Sequence, residues 1–515
     1  YGAESILQNL SFVSVEFRRA SKIGVVVNEN KAPNQKISYK SVLEIYPNYL
    51  LPKKAFEFYA WVAKYNMCHL GSILKMGLAS AASIKKPHLY KLPQEYIYSP
   101  NTALVTLNAE QQSVANAIMQ LKGFAVNVID GITGSGKTEV YLEVINSVIK
   151  SGKQVLILLP EIVLTTQLID RYRNRLGFTP LQWHSSLSAK QRKINWLASL
   201  DGNGKVFVGA RSALFLPYSN IGLIVVDEEH DQSFKQEEGV IYNARDMAIA
   251  KAKFENIPII LSSATPSVET LYNVKIGKYN SHHLKSRFGV AVLPDVKLID
   301  MNNEKIRKGD WISPTLRSEI QATFENGKQS LLFLNRRGYS TITWCGDCHQ
   351  KINCPSCDFA MVIHKQSNTM QCHYCGKTSP LITKCPYCES TEKISSFGQG
   401  VEKIAEEVNK FLPKASVAIM ASDTTHNREE ISSLLEDISK HKYDIIIGTQ
   451  MITKGLHFPN LHLVAVLEAE AQIRGCDIRS MEKTYQLLHQ VAGRAGREKD
   501  KGIVYLQTHE PDNAL

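Results

Sequence analysis

Lys137 closes the run Gly131-Ile132-Thr133-Gly134-Ser135-Gly136-Lys137-Thr138. Glycines at these spacings let backbone N–H groups wrap a polyphosphate, and the helix that follows adds the partial positive charge of its N-terminus. Lys137 is then placed to reach the β- and γ-phosphates of ATP, and Thr138 to hold Mg2+. Downstream, the apolar run Ile221-Gly222-Leu223-Ile224-Val225-Val226 ends in Asp227-Glu228-Glu229-His230. Asp227, at the end of a buried strand, suits a second Mg2+ contact, and Glu228 suits the polarising of an attacking water. In Gln490-Val491-Ala492-Gly493-Arg494-Ala495-Gly496-Arg497, two arginines stand on one face if the segment is helical. Arg494 and Arg497 are therefore candidates to stabilise charge on the γ-phosphate, a role worth about 10³–10⁵ in rate. They belong to the other half of the chain from the phosphate loop, so hydrolysis would depend on closure of two lobes.

Ten cysteines are present, and eight form the pairs Cys345/Cys348, Cys354/Cys357, Cys372/Cys375 and Cys385/Cys388. With no secretory signal, clustered pairs read as metal ligands rather than disulfides. The gap from Cys357 to Cys372 is close to zinc-ribbon spacing, which suggests nested sites, with sequential pairing across the five residues between Cys348 and Cys354 the tighter alternative. Cys354, Cys357, Cys372 and Cys375 then hold one Zn2+, and Cys345, Cys348, Cys385 and Cys388 a second. Both read as structural, because four thiolates leave no position for water; an iron–sulfur cluster is the alternative metal. His349, His364 and His373 read as ordinary polar residues, and Cys68 and Cys476 as reduced thiols of a cytoplasmic protein.

The elements that must carry these groups are legible as alternating patterns. Residues 1–82 read as a small module, with strands at Phe12–Phe17 and Ile23–Val27 and helices at Ala55–Met67 and Ile73–Leu78. Residues 83–106 hold three prolines and read as a linker. From Leu107, short apolar runs alternate with amphipathic helices: Val126–Ile129, Val155–Leu159, Val206–Val208, Ile224–Val226 and Ile259–Leu261. A second series follows at Leu331–Leu334, Val417–Ile419, Ile445–Ile447, Leu463–Leu467 and Ile503–Leu506. This is the pattern of parallel α/β sheets covered by helices. Two lobes are expected, 107–285 and 286–515, the second interrupted by a cysteine-rich insertion at 344–392.

A chain of 515 residues is too long for one core. Its 44% hydrophobic and 21% charged residues are those of a globular protein. No apolar run reaches the ~18–20 residues of a membrane span. The net charge of +11 and pI of about 9.0 suit a polyanion such as nucleic acid.

In order, Leu159-Pro160-Glu161, Ser262-Ser263-Ala264-Thr265-Pro266 and Gly448-Thr449-Gln450-Met451-Ile452-Thr453-Lys454-Gly455 resemble landmarks of superfamily 2 helicases. More narrowly, five segments are similar to the PriA family (primosomal protein N′): Glu139-Val140-Tyr141, Gly209-Ala210-Arg211-Ser212-Ala213-Leu214-Phe215, Asp227-Glu228-Glu229-His230-Asp231, Asn335-Arg336-Arg337-Gly338-Tyr339 and Lys454-Gly455-Leu456-His457-Phe458-Pro459. The cysteine insertion after Tyr339 is also similar. The resemblance is dense over residues 107–510 and weak over 1–82.

The resemblance implies two RecA-like P-loop lobes, a zinc-binding insertion in the second and a small β-rich N-terminal DNA-binding domain. It implies an ATP-dependent 3′→5′ DNA helicase that restarts replication at stalled or branched forks. Its implied partners are single-stranded and fork DNA, primosome and helicase-loading proteins, and single-stranded-DNA-binding protein, with no membrane. Gln111 falls where such helicases contact adenine. Residues 231–246 look like the family's aromatic-rich loop, in which Phe234 and Tyr242 would stack on bases and Lys235 and Arg245 would offer charge. Thr265, Thr449 and Lys454 would couple the ATP site to DNA.

The chain departs from the family in having no evident winged-helix domain within 83–106 and no C-terminal domain before Leu515. From that and its start at Tyr1 it is expected to be abbreviated. Val401 stands where the family has Thr, and Glu470 where it has Asp. Rival readings are another superfamily 2 translocase, which would not need the cysteines, and an ATP-gated scaffold, which would not need Lys137 to load partners.

Overall fold

In a computed structural model the described residues are 7–18, 20–27, 41–98, 106–160, 166–286, 294–307, 310–334, 343–345, 352–357, 361–364, 369–372, 375–391, 394–396, 400–420, 428–449, 452, 458, 460–470, 478–496 and 502–515. The chain forms two compact units, residues 1–289 and 290–515.

The first unit opens with strands β1 (Ser11–Phe17), β2 (Ala20–Val25) and β3 (Val42–Leu50), antiparallel in the order β2-β1-β3. Strand β3 escapes the sequence pattern because Pro47 interrupts it, and an edge is where a strand tolerates proline. Helix α1 (Lys53–Tyr65) buries Ala55, Phe58, Tyr59, Val62 and Ala63, one stripe at helical spacing. Helix α2 (Leu70–Gly77) follows.

The expected linker is not free through its first part. Ser83 and Ile84 are buried, Lys193 Nζ donates to Tyr90 Oη at 3.1 Å, and Thr179 N donates to the Glu95 carbonyl at 2.8 Å. Tyr98 meets Phe178 edge-on at 5.6 Å. Around the prolines, Ile84, Tyr90 and Tyr98 are apolar anchors, and they turn the segment into a packed strap.

The first lobe runs α3 (Ala109–Met119), β4 (Ala125–Gly131), α4 (Lys137–Lys150), β5 (Gln154–Leu158), α5 (Thr166–Leu176), β6 (Leu181–Trp183), α6 (Ala189–Leu200), β7 (Val206–Gly209) and β8 (Ile221–Asp227). A short hairpin, β9 (Lys235–Gln236) and β10 (Tyr242–Asn243), leads to α7 (Ala244–Glu255), β11 (Pro258–Ser263), α8 (Val268–Lys275) and β12 (Asn280–Leu284). Among the described residues the main sheet is parallel throughout, ordered β12-β4-β11-β8-β5-β7-β6. Side chains alternate between its faces. Val126, Val128, Leu156, Val226 and Leu261 join one core, and Ile129, Val155, Ile157, Val225 and Ile260 the other. Burial on both faces is why these strands read as unbroken apolar runs.

The second unit has a parallel sheet in the order β13-β23-β22-β14-β21-β20. Its elements are β13 (Asp295–Asp300), α9 (Pro314–Glu325) and β14 (Gln329–Phe333), then, past the insertion, α10 (Gly400–Phe411), β20 (Val417–Met420), α11 (Arg428–Ser439), β21 (Ile445–Gly448), β22 (Leu461–Val466), α12 (Ser480–Ala492) and β23 (Ile503–Thr508). The insertion holds β15 (Thr343–Cys345), β16 (Val362–His364), β17 (Thr369–Gln371), β18 (Thr378–Pro380) and β19 (Ile394–Ser396). Strands β15 and β19 pair antiparallel at its base.

Candidate nucleotide site and cysteine module

Strand β11 lies between β4 and β8, so the glycine loop and the acidic box leave the same edge of the sheet. Ser262 is level with Ile129 and Asp227, and Ser263 with Asp130, the residue before the loop. Ligands of open α/β sheets sit at this carboxyl edge.

Gly134 and Gly136 hold φ of +86° and +81°, and a Cβ on Gly136 would lie 2.3 Å from Gln111 Nε2. Only glycine fits there. Helix α4 starts directly at Lys137, with its N-terminus toward the loop. Lys137 Nζ donates to the carbonyls of Gly131 at 2.7 Å and Ile132 at 3.3 Å. The ammonium thus lies over the loop, where a phosphate would be its stronger partner. Ser135 Oγ is buried with no hydrogen-bond partner among the described residues. These features fit an anion in the loop.

Gln111 corrects one expectation. It is fully buried; its amide oxygen accepts from Asn108 N at 3.0 Å, and Nε2 donates to the Ser135 carbonyl at 2.9 Å. A capping box with Asn108 turns the amide inward, so here it braces the loop instead of facing a base.

Asp227 ends β8. Its Oδ1 accepts from Glu228 N at 3.1 Å and its Oδ2 from Tyr141 Oη at 2.9 Å. Burial pushes its carboxyl up from the usual range, and Glu228 adds to this; the Ser262 side chain, Lys137 and the Tyr141 hydroxyl pull the other way. Glu228 has a φ of +51°, a left-handed conformation that costs a non-glycine residue about 1–3 kcal/mol. Its Oε2 is buried without a hydrogen bond among the described residues, 3.8 Å from His230 Nδ1. A strained acid with an unmatched oxygen, separated from the phosphate loop's strand by β11 alone, suits a water or a hydrated cation. His230 Nδ1 in turn lies 2.8 Å from Ser263 Oγ, which accepts from Thr265 N at 2.9 Å.

Glu229 was not singled out in the sequence, where it reads as one more acid in a solvated cluster. It is 1% exposed. Its carboxylate accepts from Arg245 Nη1 at 3.1 Å, Ser267 N at 2.7 Å and Thr270 Oγ1 at 3.1 Å. Arg245 also donates to Asp246 at 2.8 Å. Arg245 is therefore not a surface charge for DNA; it neutralises Glu229.

Phe234 and Tyr242 are likewise corrected. They are 0% and 3% exposed, and Tyr242 packs edge-on against Phe215 at 5.3 Å. Their faces belong to the lobe's core and cannot stack on bases as they stand. Lys235 does face solvent, paired with Glu237 at 3.4 Å. Thr265 is buried.

In the second unit, Thr449 follows β21, its N donating to the Met420 carbonyl at 3.3 Å. Helix α12 stops at Ala492, so Arg494 lies in the turn beyond it and the shared-helix-face argument does not apply. Arg494 is 5% exposed. Lys454, Arg497 and Cys348 lie outside the described residues, as do His349 and His373.

The cysteines form two groups. Cys354, Cys357, Cys372 and Cys375 bring their sulfurs within 4.8 Å of one another, as do Cys345, Cys385 and Cys388. Sulfur pairs lie 3.6 Å apart for Cys354/Cys375, 3.4 Å for Cys357/Cys372 and 3.6 Å for Cys345/Cys388. A tetrahedron with Zn–S bonds of about 2.3 Å has edges of about 3.8 Å, and a disulfide is about 2.05 Å. The spacing fits zinc and not disulfides. Ser356 N and Tyr387 N each donate to the sulfur two residues earlier, Cys354 and Cys385, at 3.5 Å. The module's small core is Ile352, Met361 and Met370 among these cysteines.

Two parallel-sheet lobes, the first with a phosphate loop beside an Asp-Glu-Glu-His box, define a helicase. Residues 108–274 match the DEAD/DEAH box helicase family and 376–499 the helicase conserved C-terminal domain. Residues 3–79 match the 3′DNA-binding domain (3′BD), and 354–380 the PriA DNA helicase Cys-rich region domain. The replication restart protein PriA of Rickettsia felis is 42% identical over 99% of this chain and 78% of that relative. The PriA of Bacillus subtilis is 40% identical over 82% of this chain and 53% of its own length. The DNA-bound crystal structure of the DUF1998 helicase MrfA has a TM-score of 0.50 at 12% identity, over 81% of this chain and 52% of that one, a likeness of fold. The chain belongs to the PriA family of replication-restart DNA helicases. No helix among the described residues is long and apolar enough to cross a membrane.

Proposed function

We propose that this helicase hydrolyses ATP to move 3′→5′ along single-stranded DNA and unwind branched forks. The observation that carries this reading is the acidic box beside the glycine loop, with a buried unmatched oxygen on Glu228. In it, Lys137 leaves the loop carbonyls for the β- and γ-phosphates, and Thr138 and Asp227 hold Mg2+. When bound, Mg2+ neutralises charge on the phosphates. Glu228 orients the attacking water, and Arg494 and Arg497 offset charge on the γ-phosphate. Glu229 and Arg245 hold the acidic box to the first turn of α7, and Thr265, Thr449, Lys235 and Lys454 serve DNA coupling. The match to a 3′DNA-binding domain supports DNA as the substrate.

The cysteine module would hold two structural zinc ions, with Cys348 completing the outer set. We place the protein in the cytoplasm, working with primosome and helicase-loading proteins and single-stranded-DNA-binding protein. The test is ATP hydrolysis with and without single-stranded DNA, in wild type, Lys137→Ala and Glu228→Gln. DNA-stimulated hydrolysis lost in both variants is expected, along with unwinding of forks that carry a 3′ tail. Hydrolysis indifferent to DNA, or unwinding from 5′ tails alone, would overturn it.

A further inference from the structure

Two fully buried tyrosines lie behind the acidic box. Tyr141 on α4 sets its hydroxyl 2.9 Å from Asp227 Oδ2 and 2.7 Å from the hydroxyl of Tyr172 on α5. The direction of the chain follows from proton counting. A phenol has one proton, and the carboxylate has none to give. Tyr141 therefore donates to Asp227, and Tyr172 donates to Tyr141. Burial raises the pKa of both phenols well above its ordinary value, so both remain neutral donors. Two other buried tyrosines of the first unit end on main-chain carbonyls: Tyr59 on Phe215 at 2.5 Å and Tyr218 on Ala213 at 3.0 Å. The Tyr172–Tyr141 chain ends instead on a carboxylate.

The carboxylate is held from both sides, since Oδ1 takes the Glu228 N–H. With one donor on each oxygen, the plane of Asp227 is fixed, leaving each oxygen lone-pair capacity for a further partner. The chain's far end is anchored too. Arg171 donates to Glu139 at 2.9 Å, and Arg175, 3% exposed at its side chain, pairs with Glu139 at 3.2 Å and Glu143 at 2.7 Å. Glu139 is next to Thr138 at the start of α4. Helices α4 and α5 are thereby locked at the phosphate-loop end.

We propose that Tyr141 and Tyr172 are a positioning pair that fixes the Asp227 carboxylate for the Mg2+ of a bound nucleotide and ties its orientation to helix α5. This rests on the nucleotide-site reading above. The test is ADP binding by calorimetry with and without Mg2+, alongside Mn2+ binding followed by electron paramagnetic resonance. Wild type is expected to bind ADP more tightly with Mg2+. Tyr141→Phe should keep the Mg2+-free affinity and lose roughly ten-fold of the enhancement, the size of a hydrogen bond to a charged group. Tyr172→Phe should lose less, because Tyr141 still donates. Tyr218→Phe, with its hydroxyl elsewhere, should match wild type.

Full Mg2+ enhancement in folded Tyr141→Phe overturns the pair while leaving the nucleotide site intact. Wild type that binds no ADP, or ignores Mg2+, overturns the nucleotide reading itself. Should Tyr141→Phe fail to fold, Tyr172→Phe decides: wild-type enhancement there sinks the tie to α5.

Discussion

Lys251 holds its ammonium 5.3 Å from the centre of the Phe58 ring, fully buried between α7 of the helicase lobe and α1 of the DNA-binding domain. It donates to the Leu214 carbonyl at 2.8 Å and lies 4.9 Å from the Tyr218 ring. Tyr59 caps the Phe215 carbonyl beside it, and Lys54 reaches the Glu255 carbonyl at 2.9 Å. The domain that meets DNA is thus packed as a continuation of the lobe's own core. Phe58→Ala is expected to cost about 3–5 kcal/mol in denaturant unfolding.

Burial lowers the Lys251 pKa from 10.5 to about 8, with Glu255 acting against it. The folded value lies below the unfolded one, so the unfolded chain holds more protons between those limits. The group's cost is full below pH 8 and is relieved as pH rises toward 10.5. Lys251→Met should therefore gain most relative to wild type near neutral pH and lose that advantage on the alkaline side. Denaturant titrations at about pH 7 and about pH 10 check this, and a difference independent of pH would contradict it.

Removing Arg245 leaves the Glu229 carboxylate buried without its cation. Arg245→Ala should destabilise the first lobe by about 3–5 kcal/mol. Glu229→Gln combined with Arg245→Ala should recover part of the loss, since no buried charge remains. Thermal unfolding of the single and double variants measures the coupling.

Among the loop residues expected to meet DNA, Lys235 alone keeps an exposed charge. Lys235→Ala should weaken single-stranded DNA binding and lower the salt slope by about 0.7. Arg245→Gln, which removes the charge, should leave that slope unchanged, because Arg245 faces Glu229. Binding isotherms over a salt series separate the two.

Metal analysis of the purified protein should return two zinc ions per chain, and Cys354→Ser should remove one. In the outer group Glu389 holds a φ of +58° at the position where the inner group has Gly376, at +77°. Glu389→Gly should relieve about 1 kcal/mol of strain and slow the loss of the outer ion to chelator.

The strands that build the sites were legible in the sequence. Val126–Ile129, Ile224–Val226 and Ile259–Leu261 are buried on both faces, so apolar residues dominate them, with Asn127 the one polar member. Strands β12 and β13 were not seen: Asn-Ser-His-His-Leu and Asp-Val-Lys-Leu-Ile-Asp lie at sheet edges, where half of the surface is wet. Gly131–Thr138 and Asp227–Glu228 were found because their spacing is itself the chemistry. Which way a loop side chain points has no such periodicity. Phe234, Tyr242 and Arg245 read as surface groups until the tertiary partners Phe215 and Glu229 were in view. Tyr172 reaches Asp227 only through Tyr141, a chain of contacts that no spacing encodes.

The pairing of β15 with β19 brings the two ends of the cysteine insertion side by side, Cys345 against Ile394. A segment whose entry and exit are neighbours behaves as a cassette. Excision at that stem, with the host closed by a short turn, is expected to leave the lobe's sheet folded. By the same geometry it can be spliced into an unrelated surface loop and folded there by zinc alone, because its own core is mostly sulfur.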